Sequence, residues 1–217
     1  MLSVQRRRLT VPPGPAIEVS TGDEVQHQPF PNFPYPCYGF FGMKVTIRAT
    51  APDELDEVLS VLDEAGAWLH AIGITQQCPL SFSGREGTPE TFTDQLNAGI
   101  VYLACIDDAA VGTFRLTEHD ARVWPEAKTG EALYLHSLAV RRSVAGSGVA
   151  IEMLTWARAR AGSLGMQELR LDCWAGNQRL RRYYADAGFE FRGEATVEYQ
   201  PCRSFQTARF AIQAQST

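Results

Sequence analysis

Between Leu133 and Phe189 the sequence runs strand, glycine turn, helix, strand, helix: LYLHSLAV, then Gly146-Ser147-Gly148, VAIEMLTWARARAG, ELRLDC, and NQRLRRYYADA before Gly188-Phe189. Two strands joined by a helical crossover of this length lie parallel, because the connection must return the chain to the end of the sheet where it began. The crossover is expected to be right-handed. Val149, Met153, Leu154, Ala157 and Ala161 recur at helical spacing, so one face of the crossover helix covers the sheet. Its first turn, entered through glycines, offers unpaired backbone N–H groups and the positive end of the helix dipole, a cradle for a phosphate. No Gly-Lys-Ser/Thr follows, which excludes a P-loop. GxGxxG is absent and the preceding strands read as a hairpin, which excludes a dinucleotide fingerprint.

The flanking sequence completes a single domain. Met43 to Arg48 alternates like a strand. Thr50-Ala51-Pro52 has the look of a helix start, with a capping residue and a first-turn proline, and Leu55, Val58, Leu59, Leu62 and Ala65 follow as one apolar stripe. A helix is expected from about Pro89 to Asn97. Ile100 to Ile106 and Ala110 to Leu116, joined by Asp107-Asp108, read as a hairpin. Strands are then expected at Ala132 to Val140, Glu168 to Cys173, Phe189 to Glu194 and Thr207 to Ile212, with a helix from Asn177 to Ala187. The fold class is α/β (α+β): a mixed, mostly antiparallel sheet with flanking helices.

Residues 1–42 stand apart from the domain at 43–217, since they hold seven of the chain's twelve prolines. Proline stops helices and removes ladder donors, so this stretch reads as an extended arm. Its aromatic half, with Phe30, Phe33, Tyr35, Tyr38, Phe40 and Phe41, has enough apolar area to pack on the domain or on a second subunit.

A net charge of −5 argues against nucleic acid as the main partner. Five scattered cysteines without a CxxC give neither a disulfide framework nor a zinc site, which fits a reducing cytoplasm, and no metal is expected. No apolar run approaches a membrane span, and Arg6-Arg7-Arg8 leads into Val11-Pro12-Pro13-Gly14-Pro15 instead of a signal-peptide core.

The segment from about 130 to 192 resembles the GNAT superfamily of acyl-CoA-dependent N-acyltransferases, and the strand pattern follows that family over about 43 to 213. Its pyrophosphate loop, Q/R-x-x-G-x-G/A, begins five residues after a strand valine. Here Val140 is followed at that distance by Ala145, with Gly148 and Ala150 at the two small positions. Ala145 departs from the usual Arg or Gln, so a side-chain contact is lost while the backbone cradle is kept. The later pattern N-x-x-A-x-x-x-Y-x-x-x-G-F falls on Asn177, Leu180, Tyr184, Gly188 and Phe189, and Leu180 is the departure.

The resemblance implies a splayed parallel strand pair, with Leu138, Ala139 and Val140 receiving the pantetheine amides of acetyl-CoA. Gly146, Ser147, Gly148, Val149, Ala150 and Ile151 would hold the pyrophosphate through main-chain N–H groups, and Asn177 would lie against the pantetheine arm. It also implies direct acetyl transfer to a primary amine of a small molecule or a peptide N-terminus, and dimers are common in the family, so a homodimer is a further expectation. Tyr184 takes the acid role, since a phenol with a pKa of about 10 keeps its proton at neutral pH. Two residues contend for the base: Asp172, where some members carry a glutamate, and His136, where others carry a histidine whose ordinary pKa of about 6.5 suits proton transfer. A water chain is the third option. Trp68, His70, Gln76, Gln77, Phe82, Arg85 and Trp124, in the loops before the hairpin and before Ala132, are candidates for the amine side. The alternatives are a non-catalytic acyl-CoA sensor or scaffold on the same fold and, in another class, a nucleotide-binding α/β domain.

Overall fold

The computed structural model describes residues 44–75, 80–199 and 203–215. The proline-rich arm at 1–42 lies outside the described residues. Among the described residues seven strands form one sheet in the order β1-β2-β3-β4-β5-β7-β6, where β1 is Val45–Ala49, β2 Val101–Ile106, β3 Ala109–Thr117, β4 Ala132–Val140, β5 Glu168–Trp174, β6 Glu190–Tyr199 and β7 Arg203–Gln213. Every neighbouring pair is antiparallel except β4 with β5. That exception joins the two strands whose linker contains the crossover helix, as their sequence order requires.

Four α-helices among the described residues cover the sheet: α1 (Leu55–Ala71), α2 (Thr88–Asn97), α3 (Val149–Ser163) and α4 (Gln178–Asp186). Val149, Met153, Leu154, Ala157 and Ala161 are the buried residues of α3, and they join Leu133, Leu135, Leu169, Leu171 and Phe210 in the main core. Val58, Leu59, Val61 and Leu62 of α1 and Phe92 and Leu96 of α2 pack on Val101, Leu103 and Cys105 of β2. The loop from 118 to 131 adds a smaller cluster in which Val123 and Trp124 meet Ala132, Tyr134, Val197 and Phe205. Because side chains alternate along a strand, Leu133, Leu135, Leu169 and Leu171 face the main core while Tyr134, His136, Arg170 and Asp172 face the opposite way.

Two details depart from the sequence reading. Thr50 is not a helix cap: its N–H donates to Val101 O at 3.0 Å, so it ends the β1 edge, while the Glu54 carboxylate accepts the Ala51 N–H at 2.8 Å and closes the helix start. The expected strand Phe189 to Glu194 continues to Tyr199. A register shift between Phe191 and Glu194, with Gly193 at φ 91°, breaks the alternation that sequence alone can follow. The Asp107-Asp108 turn is as expected, with φ of 47° and 63° giving the doubly left-handed geometry that matches strand twist. No helix among the described residues is long and apolar enough to cross a membrane.

Candidate active site

The parallel ladder is short, pairing Ala132 to Leu135 with Glu168 to Leu171. Immediately beyond it, the step from His136 to Ala139 on β4 faces the shorter step from Thr113 to Arg115 on β3, and Ser137 takes a φ of 54°. An extra residue in a left-handed conformation is a β-bulge, which bends the strand. For a non-glycine residue that conformation costs roughly 1 kcal/mol, so the surrounding structure must impose it. The bulge turns β4 from β5, and Leu138, Ala139 and Val140 lie past the last β4–β5 pair. Their backbone groups on the β5 side therefore line a gap. His136 and Asp172, the two candidate bases, are the first residues of β4 and β5 beyond that last pair.

At the far end of the gap, Gly148 caps α3 with φ 95° and Gly146 has φ 82°. A Cβ built on either would meet nothing within 4 Å, so positive φ explains both glycines and the space before them is open. Ser147 N donates to Val144 O at 3.2 Å, and Ile151 N to Gly148 O at 2.9 Å. Within the expected cradle these two N–H groups serve the turn itself, which leaves those of Gly146, Gly148, Val149 and Ala150 for an anion. Ser147 Oγ is likewise engaged, donating to Val144 O at 2.6 Å. The loop is anchored to α1: Arg141 donates from Nε to Ala110 O (2.8 Å) and from its guanidinium to Glu64 (3.2 Å), whose other oxygen accepts the Arg142 N–H (2.5 Å). These features fit a pyrophosphate at the α3 N-terminus and a pantetheine arm along the gap.

On the face opposite α3, a cleft of about 330 Å³ is lined by Arg115, Asp120, Arg122, His136 and Asp172 among others. A ring nitrogen of His136 and one carboxylate oxygen each of Asp120 and Asp172 lie within 4.8 Å of one another, a spacing that an ammonium or a metal ion could bridge. Asp120, His136 and Asp172 are all half-buried. Burial pushes the Asp120 carboxyl up, against the pull of the Val123 and Arg122 N–H groups. Burial, helped by the nearby Arg115 charge, lowers the His136 imidazole to about 4. His136 is therefore neutral at pH 7. Thr117 Oγ1 donates to His119 O at 3.0 Å and lies 2.9 Å from His136 Nε2. With its one proton committed to the carbonyl, Thr117 accepts from Nε2–H, which leaves Nδ1 as the basic nitrogen. Thr207 Oγ1 lies 2.5 Å from Asp172 Oδ2 and 2.9 Å from Cys173 O, so a hydroxyl from β7 fixes the Asp172 carboxylate.

Asp120 was not foreseen from the sequence. It lies in the 118–131 loop, which two guanidinium groups hold to the sheet through Trp124: those of Arg170 and Arg209 each sit 4.9 Å from the ring centroid. Arg170 also pairs with Glu131 (3.0 Å) and Glu168 (2.8 Å), and Arg209 with Glu126 (2.7 Å). The only sequence signal was the run Glu118-His119-Asp120 with Arg122, in a loop already expected to face the substrate.

Tyr184 is 5% exposed and packs against Tyr183, Phe189 and Phe210. Burial pushes its phenol well above the ordinary value, and the negative charge of Asp172 adds to this. It therefore keeps its proton, on the α3 and α4 side of the sheet yet within electrostatic reach of Asp172. Asn177 caps α4, its side-chain oxygen accepting from Leu180 N at 3.1 Å. The amine-side candidates fare differently. Trp124 is buried in the loop clamp, Trp68 lies under Arg142 at 4.0 Å, and Phe82 packs edge-on against Phe92. None of these, nor His70 or Arg85, lines the cleft. Gln76 and Gln77 fall outside the described residues. Burial holds the Cys173 thiol up at about 12 and also raises Cys105, so neither cysteine among the described residues offers a thiolate for a covalent route.

Known proteins match this geometry. The profile of the Acetyltransferase (GNAT) family covers residues 69–189, more than half of the chain. An uncharacterized N-acetyltransferase of Bacillus subtilis, YesJ, is 28% identical over 151 residues, spanning 68% of this chain and 82% of that protein. A GNAT-family acetyltransferase from Listeria monocytogenes superposes with a TM-score of 0.62 at 19% identity, over 79% of this chain and 96% of that one. A putative acetyltransferase of Salmonella typhimurium, solved with acetyl-CoA, superposes with a TM-score of 0.58 at 13% identity, over 80% of this chain and 96% of that one. With a splayed β4–β5 pair and a glycine-capped α3 beneath that sequence match, the chain belongs to the GNAT acetyltransferase family and is an acyl-CoA-dependent acetyltransferase.

Proposed function

We propose that the protein transfers an acetyl group from acetyl-CoA directly to a primary amine of a small molecule or peptide N-terminus, in the cleft where β4 and β5 part. The observation that carries this reading is the meeting of His136, Asp120 and Asp172 within 4.8 Å at the mouth of the gap. Acetyl-CoA supplies the acetyl group as a thioester. The N–H groups of Gly146, Gly148, Val149 and Ala150 hold its pyrophosphate. The β4 edge at Leu138 to Val140 and the amide of Asn177 align its arm.

Asp120 and Asp172 receive the ammonium, and His136, neutral at pH 7, takes a proton from it through Nδ1. The C–N bond forms and the C–S bond breaks. The sulfur leaves with a proton from Tyr184, and the second amine proton restores that phenol. The products are an N-acetyl amide, the free CoA thiol and one proton, which His136 passes to water.

The test is thiol release from acetyl-CoA with a panel of amines, amino acids and N-terminal peptides, in the presence of a chelator, with the product identified by mass. Amine-dependent thiol release with one acetyl added to the acceptor is expected. Binding of acetyl-CoA without turnover on any amine would refute the transferase reading.

A further inference from the structure

Thr117, the last residue of β3, stands opposite Tyr134 in the β3–β4 register, one diagonal step from His136, which stands opposite Arg115. Residues paired across neighbouring strands share a face of the sheet, and diagonal neighbours on that face are within reach of one another. Thr117 Oγ1 meets two groups there, His119 O at 3.0 Å and His136 Nε2 at 2.9 Å. Among the described residues it is the hydrogen-bond partner that the His136 ring shows. A carbonyl can only accept, so the one hydroxyl proton goes to His119 O, and the lone pairs of Oγ1 remain for Nε2–H. With that carbonyl out of reach, the hydroxyl would be free to donate to Nε2, and the ring proton would pass to Nδ1. The difference decides the chemistry, because an ammonium only donates and must face a bare ring nitrogen to lose its proton. His119 O belongs to the 118–131 loop, and the next residue along that loop is Asp120.

We infer that Thr117 is a positioning residue for the base: its hydroxyl holds His136 in the tautomer with Nδ1 bare, and its bond to His119 O makes that tautomer depend on the loop that carries Asp120. This rests on the acetyltransferase reading, in which His136 takes the amine proton. It adds a link by which the segment that receives the ammonium also arms the group that deprotonates it. Two bonds of ordinary length through one oxygen carry the link, and both need the hydroxyl. Valine at 117 would keep the shape of the side chain while leaving Nε2–H and His119 O without their shared partner. Serine would keep the hydroxyl and lose only a methyl group.

The experiment is nitrogen-15 NMR of the full chain labelled on histidine, which distinguishes a bare ring nitrogen from one that carries a proton. His136→Gln identifies the signal among the four histidines. At pH 7 the wild type should show Nδ1 bare and Nε2 protonated. Thr117→Ser should keep that pattern, Thr117→Val should give a mixture of tautomers, and Trp124→Leu, which loosens the loop, should shift the ring part of the way. With an amine that the wild type acetylates, Thr117→Val should lower kcat by about tenfold or more, a share of the roughly 10²–10⁴ that a positioned base supplies, with the KM for acetyl-CoA unchanged and Thr117→Ser near wild type. A wild-type ring protonated on Nδ1, a tautomer unmoved by Thr117→Val, a kcat that stays level while the tautomer shifts, or no rescue by serine would each overturn the inference. A Trp124→Leu spectrum identical to that of the wild type would overturn the link to the loop. Absence of acetyl transfer to every amine would be the failure of the underlying reading, and the spectra would still show whether Thr117 sets the tautomer.

Discussion

In the proposed mechanism the protonation of His136 governs proton transfer, and its burial ties the same group to the pH stability of the fold. Its imidazole is lowered from 6.5 to about 4 by burial and by Arg115, even though two carboxylates lie within 4.8 Å. Arg115 offsets those carboxylates, and the Asp120 carboxyl is itself pushed up by burial. A folded pKa below the unfolded one means that the unfolded chain binds more protons between pH 6.5 and 4. Stability conferred by keeping His136 neutral is thus present above pH 6.5, declines as the pH falls from there and is gone below about 4. At about 1.4 kcal/mol per pKa unit, the wild type should lose about 2 kcal/mol between pH 7 and 5 that His136→Gln does not lose. Urea denaturation of both proteins at the two pH values reads this difference directly, because every other titrating group except its immediate neighbours is common to both. Parallel losses in the two proteins would refute the depressed pKa. A wild type that holds its stability better than the variant at pH 5 would mean that Asp120 and Asp172 hold His136 as an imidazolium, and a neutral base at pH 7 would then be untenable.

Three further substitutions separate the parts of the site. Tyr184→Phe should lower kcat by on the order of 10² with acetyl-CoA affinity little changed, as loss of a proton donor does; an unchanged kcat removes Tyr184 from the acid role. Gly148→Ala forces a side chain onto φ 95° at the α3 cap, at roughly 1–2 kcal/mol, and should raise the KM for acetyl-CoA about tenfold while sparing that for the amine. Trp124→Leu removes the ring held by Arg170 and Arg209 and should raise the KM for the amine through a loosened Asp120, with calorimetric acetyl-CoA affinity retained; an unchanged amine KM would show that the clamp does not position the loop.

The glycine turn into α3 was legible in the sequence because its causes are local: glycines at positions needing positive φ and a following stripe of apolar residues. The strand pair at Ala132 to Val140 and Glu168 to Cys173 was legible for the same reason, since apolar runs of strand length flank one helix. Asp120 was hidden because its place depends on contacts distant in sequence, namely Trp124 against Arg170 and Arg209, and an irregular loop has no period to read. The bulge at Ser137 was hidden too, because a serine in a left-handed conformation is imposed by tertiary structure and not by its own preference. That bulge opens the gap between His136 and Asp172, so the sequence named both residues without revealing that they face one another. Thr50 misled for the opposite reason: a good capping residue before Ala51-Pro52 was taken by the sheet, and Glu54 did the capping.

The gap between β4 and β5, ending at the α3 N-terminus, is where we propose acetyl-CoA binds. Titration calorimetry of the full chain with acetyl-CoA, and with desulfo-CoA as a non-transferring control, tests it without knowledge of the amine. Saturable binding of both is expected, with one site per chain, weakened in Gly148→Ala. No heat of binding for either ligand up to millimolar concentration would contradict it.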